Sequence, residues 1–477
     1  MGDNLKNKMI GALAWSSVDR LGQQLIQFVI GILLARMLCP SDYGLIGMIA
    51  VFASISFIVV DGGFSAALIR KKETSELDYN SVFYLNFFVS LLLYGIFFIA
   101  MPFIAIFFEQ PRLTLIGRVT FLGIIFNSLY LVSYAQCSKA MDFKKIAKVN
   151  ILAILFSGGL SLILAFKNYG VWALVVQQTG YHFFRMLGFL IFVRWFPKLQ
   201  FSLAPIREFW HFSIHLLCTS FLTAIYNNLY TFLIGKFYHI TQVGYHTQAH
   251  KMSETSNFTF QSILNHSTYN LFVRIYDDNE RLKRIYKSVT KKISLVVVPI
   301  TMILIVIAMP LFYVLLSEKW LNAVPYFQLI CIGNLFAPLY LINTNVLNAQ
   351  GQSRLTLRLE LSKWVLVIIA IALFLNKGIF PLLAGFSAAY IINYFISVII
   401  VTRQIGISIN AHIKLVMPSI LLGLACATTY FLAPFIKNLY LLLLIQGLCT
   451  LIIYFSALRL FFKEELEWLM KTRDERI

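Results

Sequence analysis

The sequence predicts an all-α polytopic membrane protein with about 14 transmembrane helices. Of its 477 residues, 59% are hydrophobic and only 13% are charged, and the mean hydropathy is +0.76. Apolar runs of about 20 residues follow one another along the chain, and this is the length that a helix needs to cross a bilayer. The runs lack the polar–apolar alternation that is typical of transmembrane β-strands. We therefore expect membrane-spanning helices and no barrel.

Short loops join the predicted spans, so they leave no room for a soluble domain. The N-terminus is not predicted to be a cleavable signal, because Asp19 and Arg20 interrupt its apolar segment. The six cysteines are scattered without CxxC or metal-ligand spacing, and we interpret them as buried thiols. In chain order, the predicted spans are 10–34, 44–68, 80–107, 113–136, 146–166, 170–194, 209–235, 243–273, 289–315, 320–349, 357–376, 379–401, 413–436 and 438–462.

The basic residues predict the orientation of the spans. With an even number of spans, most of the 40 Lys and Arg residues fall on the side that holds both termini. The positive-inside rule makes this side cytoplasmic. Basic loops beside anionic lipid also explain the net charge of +19, so we expect the lipid bilayer as a partner and no nucleic acid.

An internal repeat divides the chain. Leu33-Leu34-Ala35-Arg36 is followed by Gly44, and Leu233-Ile234-Gly235-Lys236 is followed by Gly244 at the same spacing. Spans one to six therefore correspond to spans seven to twelve, in the same orientation, which is a transporter architecture. The predicted domains are an N-terminal lobe (1–197), a C-terminal lobe (198–404), and two extra helices with a cytoplasmic tail (405–477).

Polar side chains inside the spans mark the candidate site. A charge at membrane depth costs about 2.5–3.5 kcal/mol or more, so it normally faces water or a partner. We expect a hydrated, cationic cavity for an anionic substrate, such as a diphosphate that carries sugars. The alternative is that Asp19–Arg20 and Lys251–Glu254 form structural pairs or lie near the interfaces. The candidates for substrate binding are Arg20, Gln23, Gln27, His182, Arg185, His211, His215, His246, His250, Lys251 and Glu254.

The repeat makes one polar segment informative. Gly244–Asn257 reads GYHTQAHKMSETSN, whereas the corresponding Gly44–Phe57 reads GLIGMIAVFASISF. Because one copy is apolar, the scaffold does not require the polar residues of the other. We therefore expect Gly244–Asn257 to be the polar wall of the second lobe and to contribute to substrate passage.

Two acidic features allow other interpretations. Asp61 precedes Gly62-Gly63, where a helix can bend, and is the candidate for coupling to H+ or Na+. The alternative is that Asp61 lies near the cytoplasmic interface. Asp277-Asp278 resembles the acidic pair of a glycosyltransferase, but it lies in a basic loop without a catalytic domain. We therefore expect no catalytic residue and no enzyme activity.

A metal site is the alternative interpretation of the histidine-rich helix. His246, His250 and Glu254 share one helical face, as zinc ligands do. Histidines in the wall of a polar cavity are the commoner case, so we expect neither a metal ion nor another cofactor.

Several segments resemble a known family. These are LLARMLCPSDYGLIGM, NLFVRIYDDNERLKRIY and LLSEKWLNAVPYFQLICIGNLFAPLYLINTNVLNAQGQSRLTLRLELSKW. In their order and spacing they resemble the Wzx-type polysaccharide flippases, of the branch that includes the colanic acid exporters. That family belongs to the multidrug/oligosaccharidyl-lipid/polysaccharide exporter superfamily. The resemblance departs at span eight, where the four charged and histidine residues from His246 to Glu254 are unusually dense.

The resemblance implies an architecture and a function. It implies two parallel six-helix, MATE-like lobes plus two C-terminal helices in the bacterial inner membrane. The expected activity is export of undecaprenyl-diphosphate-linked oligosaccharide units by alternating access, driven by an ion or by the membrane potential. The polysaccharide polymerase machinery is a further candidate partner.

Two rival functions remain open. A multidrug/cation antiporter of the same fold would need an acidic site, whereas the candidate residues are mainly basic. A membrane O-antigen polymerase or ligase would need a long periplasmic loop, whereas all the predicted outside segments are short.

Overall fold

The computed structural model describes residues 2–462, except for the side chains of residues 2–10, Leu13 and 255–267. All regular secondary structure in this part of the chain is helical. Twelve of its helical segments are long and apolar enough to cross a membrane. The predicted all-α membrane class is therefore confirmed, whereas the count of 14 stays a prediction. The tail predicted after 462 lies outside the described residues.

The chain divides into two compact units, Met1–Thr247 and Gln248–Ile477. Unit 1 holds both the first repeat and the first helix of the second. The predicted lobes follow the sequence repeat rather than packing, so the lobe boundary at 197 stays a prediction. The helices of unit 1 are α1 (Gly2–Met37), α2 (Pro40–Asp61), α3 (Phe64–Arg70), α4 (Glu76–Phe107), α5 (Leu113–Lys139), α6 (Phe143–Phe166), α7 (Val171–Val193), α8 (Leu203–Phe237) and the start of α9 (Ile240–Val273).

Unit 2 continues α9 and adds the remaining helices. Its buried core includes Leu282, Tyr286, Leu339, Tyr394 and Val416. The α-helices are α10 (Asn279–Val306), α11 (Ala308–Leu316), α12 (Val324–Asn334), α13 (Ala337–Ala349), α14 (Ser353–Phe374), α15 (Ile379–Ile405), α16 (Ile409–Ala427) and α17 (Leu439–Phe461), with 3-10 helices at Glu318–Ala323, Leu375–Lys377 and Thr428–Phe435.

Two predicted spans coincide with helices that are absent from the twelve apolar segments. These are span 170–194, which is α7, and span 243–273, which is α9. Both helices carry several of the candidate site residues, which lower their apolarity. Their crossing of the membrane therefore stays a prediction.

A glycine pair breaks the second predicted span into two helices. Helix α2 ends at Asp61, and Gly62 and Gly63 follow with φ values of 54° and 79°. Glycine occupies this left-handed region without a Cβ penalty. Helix α3 then begins at Phe64. The bend expected beside Asp61 is therefore present.

The repeat is also visible in the packing at the start of α2 and α9. Gly44 lies against Ile240, and its repeat partner Gly244 lies against Pro40. A Cβ atom on Gly44 would collide with the carbonyl oxygen of Ile240, and one on Gly244 would collide with that of Pro40. Each glycine therefore lets the first turn of the other helix approach its backbone.

The end of α3 contacts the start of α8. The Arg70 guanidinium lies 4.6 Å from the centre of the Phe212 ring. One residue on, Lys71 Nζ is 2.9 Å from Glu208 and 3.1 Å from the buried Asp78 carboxylate of α4. These contacts hold three helices of unit 1 together at one end.

Candidate functional site

Asp19 anchors a polar cluster inside unit 1. Its carboxylate accepts a hydrogen bond from Gln23 Nε2 at 2.7 Å, one helical turn further along α1. It also accepts hydrogen bonds from Asn150 Nδ2 of α6, at 3.1 and 3.2 Å to its two oxygens. Asn150 is buried. The charge of Asp19 is therefore solvated by amides of two helices, and it is Asp19 rather than the exposed Arg20 that faces α6.

Arg185 of α7 lies among three tyrosine rings. Its guanidinium carbon is 4.4 Å from the ring centre of Tyr130, 5.3 Å from Tyr181 and 5.8 Å from Tyr134. Arg185 Nη1 donates a hydrogen bond of 2.9 Å to the Tyr130 hydroxyl. Ring faces attract a cation, more strongly when it is desolvated. The tyrosines therefore stabilise this charge inside the helix bundle.

Tyr130 also fixes the proton of His182. The Tyr130 hydroxyl donates to Asn127 Oδ1 at 2.6 Å, so towards His182 and Arg185 its oxygen can only accept. The Nδ1 atom of His182 lies 3.1 Å from that oxygen and must carry its hydrogen. The His182 ring also stacks on Phe57 at 4.5 Å. His182 is therefore a fixed donor within this cluster.

A further hydrogen bond connects the two charges. Tyr181 donates to Gln23 Oε1 at 3.2 Å, which links α7 back to α1. The Arg185 cluster, as we call it, draws its polar groups from α1, α5, α6 and α7. Its members are Asp19, Gln23, Asn127, Tyr130, Asn150, Tyr181, His182 and Arg185.

The cation of the Arg185 cluster keeps the capacity to attract an anion. Among the described residues no carboxylate forms a direct ion pair with Arg185, although Asp19 acts on it at longer range. Arg185 Nε is buried without a hydrogen-bond partner there. A guanidinium with a spare donor is suited to binding phosphate or carboxylate oxygens.

The remaining candidates of unit 1 lie elsewhere. Gln27 of α1 is exposed, and so are His211 and His215 of α8. The two histidine rings are 4.8 Å apart and lie one turn apart on the same helix. His246 of α9 is buried, with Nδ1 3.5 Å from the Thr231 hydroxyl. In the described part of the chain, none of these four residues contacts Arg185.

Asp61 occupies the break between α2 and α3. The Ser65 hydroxyl and the backbone amides of Gly63 and Ser65 lie near its carboxylate. Its Oδ1 atom is buried and has no hydrogen bond within the described structure. Gly63 packs against Ser213 of α8, where a Cβ would lie 2.9 Å from the carbonyl oxygen. The carboxylate thus lies at a bend that is closely packed against a neighbouring helix.

The other charged candidates of α9 belong to unit 2. His250 Nδ1 lies 3.7 Å from Glu254 Oε2, one turn away. Lys251 is exposed. In the described part of the chain, no three His, Cys, Asp or Glu side chains are arranged to hold a metal ion. Asp278 caps α10 by accepting from Arg281 N at 2.9 Å, so half of the acidic pair has a structural role.

Unit 2 contains a buried polar ring that the sequence analysis did not identify. Tyr394 OH lies 3.0 Å from His412 Nε2, and His412 Nδ1 lies 3.1 Å from Tyr286 OH. Tyr286 donates to Asn343 Oδ1, Asn343 Nδ2 donates to Ser397 Oγ, and Ser397 donates to the Tyr394 carbonyl. The donors run in one direction, so Nδ1 carries the hydrogen and Nε2 accepts. The ring joins α10, α13, α15 and α16.

Sequence reasoning found only part of the Arg185 cluster. It identified Gln23, His182 and Arg185 as candidates but overlooked Asn127, Tyr130 and Asn150. The available signal was that Asn127 and Asn150 are isolated amides within long apolar runs. A single buried amide requires a hydrogen-bond partner, which is a reason to search for one on a neighbouring helix.

Comparisons with known proteins agree with this architecture. A family model described as "Polysaccharide biosynthesis protein" matches residues 33–325. The "Teichuronic acid biosynthesis protein TuaB" of Bacillus subtilis (strain 168) is 22% identical over 433 residues, covering 90% of this chain and 89% of that protein. The "Lipopolysaccharide biosynthesis protein WzxC" of Escherichia coli (strain K12) is 22% identical over 412 residues, covering 84% and 82%.

A solved structure has the same fold. It is described as "Lipid II flippase MurJ, inward closed conformation" and superposes with a TM-score of 0.72. The match covers 94% of this chain and 99% of that chain at 16% sequence identity. This likeness confirms the transporter fold expected from the repeat, and at this identity it extends to the fold alone.

Proposed function

We propose a function from one premise: this chain belongs to the polysaccharide biosynthesis protein family. It is a flippase that moves undecaprenyl-diphosphate-linked oligosaccharide units across the bacterial inner membrane by alternating access, with both termini in the cytoplasm. The names of similar proteins support this substrate class, since they refer to teichuronic acid and lipopolysaccharide. The transported unit would then be available to a polysaccharide polymerase on the outer side.

The proposal depends above all on the position of Arg185 within α7. It is the fifteenth of the 23 residues of α7, so about 12 Å of helix separates it from the nearer end. At such a depth a charge without a direct counter-ion is unfavourable. An anionic headgroup that passes through the bundle would compensate this charge, and a diphosphate provides one.

The Arg185 cluster has groups for both parts of the headgroup, the diphosphate and the sugars. Arg185 would bind phosphate oxygens through its free donor, and His182 adds a neutral polar group beside it. The amides of Gln23 and Asn150, together with Asp19, would offer hydrogen bonds to sugar hydroxyls. The polyprenyl tail would remain in lipid, so only the polar headgroup needs a hydrated route.

In unit 2, Lys251 of α9 is by itself a proposed substrate-binding residue. Its side chain is exposed, and an ammonium group is suited to attracting a diphosphate as a compact point charge. Glu254, three residues on, interacts electrostatically with Lys251 and would hold it between substrates. His250 lies close to the same carboxylate, with Nδ1 3.7 Å from Glu254 Oε2. Arg20, Gln27, His211, His215 and His246 remain proposed cavity residues.

Asp61 is the proposed coupling group. A carboxylate at a helix bend can take up H+ or Na+ in one state and release it in the other. The unpartnered Oδ1 supports this role. The mechanism requires no bond to be made or broken in the substrate, so we propose no enzyme activity and no cofactor.

Inactivation of the gene in its host strain tests the function. Lipid-linked oligosaccharide units should accumulate in a form that a membrane-impermeant sugar-labelling reagent cannot reach in spheroplasts. Restoring the gene should return polysaccharide to the cell surface. Accumulation of accessible units would instead indicate a polymerase or ligase. Normal polysaccharide with increased sensitivity to cationic drugs would indicate an antiporter.

A further inference from the structure

The first turns of α10 carry an exposed row of cations. Arg281, Arg284 and Lys287 are spaced three residues apart and all are exposed. Leu282 and Tyr286 lie on the opposite side of the helix and are fully buried. We call the three cations the α10 basic face. The helix is therefore fixed by its apolar side and presents these charges outward.

This arrangement is electrostatically unfavourable within the protein. The N-terminus of a helix carries partial positive charge, which disfavours a cation such as Arg281 in the first turn. Like charges three residues apart also repel each other. Two nearby acids have other partners, because Glu280 pairs with Lys283 at 2.7 Å and Asp278 caps the backbone of Arg281. Over the described chain, no carboxylate forms an ion pair with the α10 basic face.

The position of the α10 basic face indicates which negative groups compensate its charge. The part of α10 without charged residues begins at Ile293, so Lys287 precedes it by about 9 Å and Arg281 by about 18 Å along the axis. The headgroup layer of a bilayer is roughly 5–8 Å thick. Arg and Lys side chains are long and flexible, and screening in physiological salt acts over about 8 Å. The face therefore lies within reach of lipid phosphates.

We propose that the α10 basic face binds the headgroups of anionic phospholipids. Guanidinium groups match phosphate oxygens in geometry and charge, and the ammonium of Lys287 adds a point charge. Each basic residue near an anionic surface contributes about fivefold in binding, so three contribute roughly 100-fold if their effects add. This proposal does not depend on the transported substrate.

Lipid retention by the purified full-length protein tests the proposal. Phosphatidylglycerol and phosphatidylcholine would be titrated separately into detergent-solubilised protein, and bound lipid would be counted by native mass spectrometry. The test variant is R281Q/R284Q/K287Q. The matched control is R112Q/K167Q/K437Q, which removes the same charge from three exposed positions on other loops. Both would be measured in low and high salt.

We expect wild type and control to prefer phosphatidylglycerol, with the preference reduced by high salt. The test variant should lose at least tenfold of that preference and keep its phosphatidylcholine binding. Equal loss in the control would show a net-charge effect and overturn the proposal. It would also be overturned if the test variant kept the preference. A test variant that is less stable than wild type without added lipid would instead indicate a partner within the protein.

Discussion

The charge of Arg185 is stabilised within the protein and can still bind an anion. Three tyrosine rings and one hydroxyl stabilise its charge, whereas a carboxylate in direct contact would also neutralise it. Cation–π contacts contribute about 0.5–2 kcal/mol each, which offsets part of the cost of desolvation. The guanidinium can therefore persist inside the bundle and still gain from an incoming anion.

Lys251 permits a test of the polar wall. We expect Lys251→Gln to reduce polysaccharide export while protein abundance stays near wild type, because an exposed side chain contributes little to the core. Export would be measured as surface polysaccharide per unit of membrane-bound protein. Ile49→Leu is the control, since Ile49 is buried in the apolar repeat partner and the exchange conserves volume. Normal export by Lys251→Gln, or loss explained by degradation, would remove Lys251 from the proposal.

Asp61 permits a separate test of coupling. Asp61→Asn keeps the shape of the side chain but removes its charge and its ability to exchange a proton. We expect transport to become slower and to lose its dependence on the H+ or Na+ gradient. The measurement is flipping in proteoliposomes with and without each gradient. If Asp61→Asn keeps the wild-type ion dependence, the carboxylate is not the coupling group.

At the scale of elements, the crossing of α2 and α9 depends on the absence of two side chains. We expect Gly244→Ala to lower the thermal stability of the purified protein by more than about 1 kcal/mol, because its Cβ would collide with the Pro40 backbone. Gly159→Ala is the matched control, since nothing lies within 4 Å of a Cβ there. In a helix that control should be neutral or slightly stabilising. Equal behaviour of the two variants would contradict the close crossing.

The contacts of Lys71 between α3 and α8 predict that the stability of the protein depends on salt and pH. Its hydrogen bond to Glu208, followed by that to Asp78, raises the pKa of Lys71 above its usual 10.5. The contribution to stability is therefore complete below about pH 10.5 and is lost as the pH rises through the higher folded value.

We expect Glu208→Gln to lower stability at pH 7 by about 0.2–1 kcal/mol, since Glu208 is more than half exposed. The measurement is thermal unfolding in detergent, and the difference from wild type should shrink in 1 M salt. Glu73→Gln removes an exposed carboxylate that has no recorded ion pair, and it should change little. A salt-independent difference would show that Glu208 acts through something other than charge.

For the whole molecule, the fold was largely predictable from the sequence. Long apolar runs place the helices, and the repeated segments before Gly44 and Gly244 place the repeat. The apolar runs do not reveal that α2 ends at Asp61, although the following glycine pair does. The local sequence pattern was therefore sufficient to predict features that depend on a single helix, such as its position and its end.

The candidate site was less predictable because it depends on contacts between distant segments. Asp19 and Arg20 are adjacent in α1, and only the position of Asn150 on α6 decides which one is taken into the bundle. The residue type and spacing of His211 and His215 are those of a binding site, but both side chains are exposed on α8. Residue type and spacing therefore identified the helices of the site better than its individual members.

Flipping by the purified protein tests the central claim most directly. Proteoliposomes would contain a fluorescent undecaprenyl-diphosphate oligosaccharide, and an impermeant quencher would report its transfer between leaflets. We expect protein-dependent transfer, a loss of roughly 10–100-fold in Arg185→Gln from one lost charged hydrogen bond, and a smaller loss in Arg185→Lys. Absence of protein-dependent transfer, or a wild-type rate in Arg185→Gln, would contradict it.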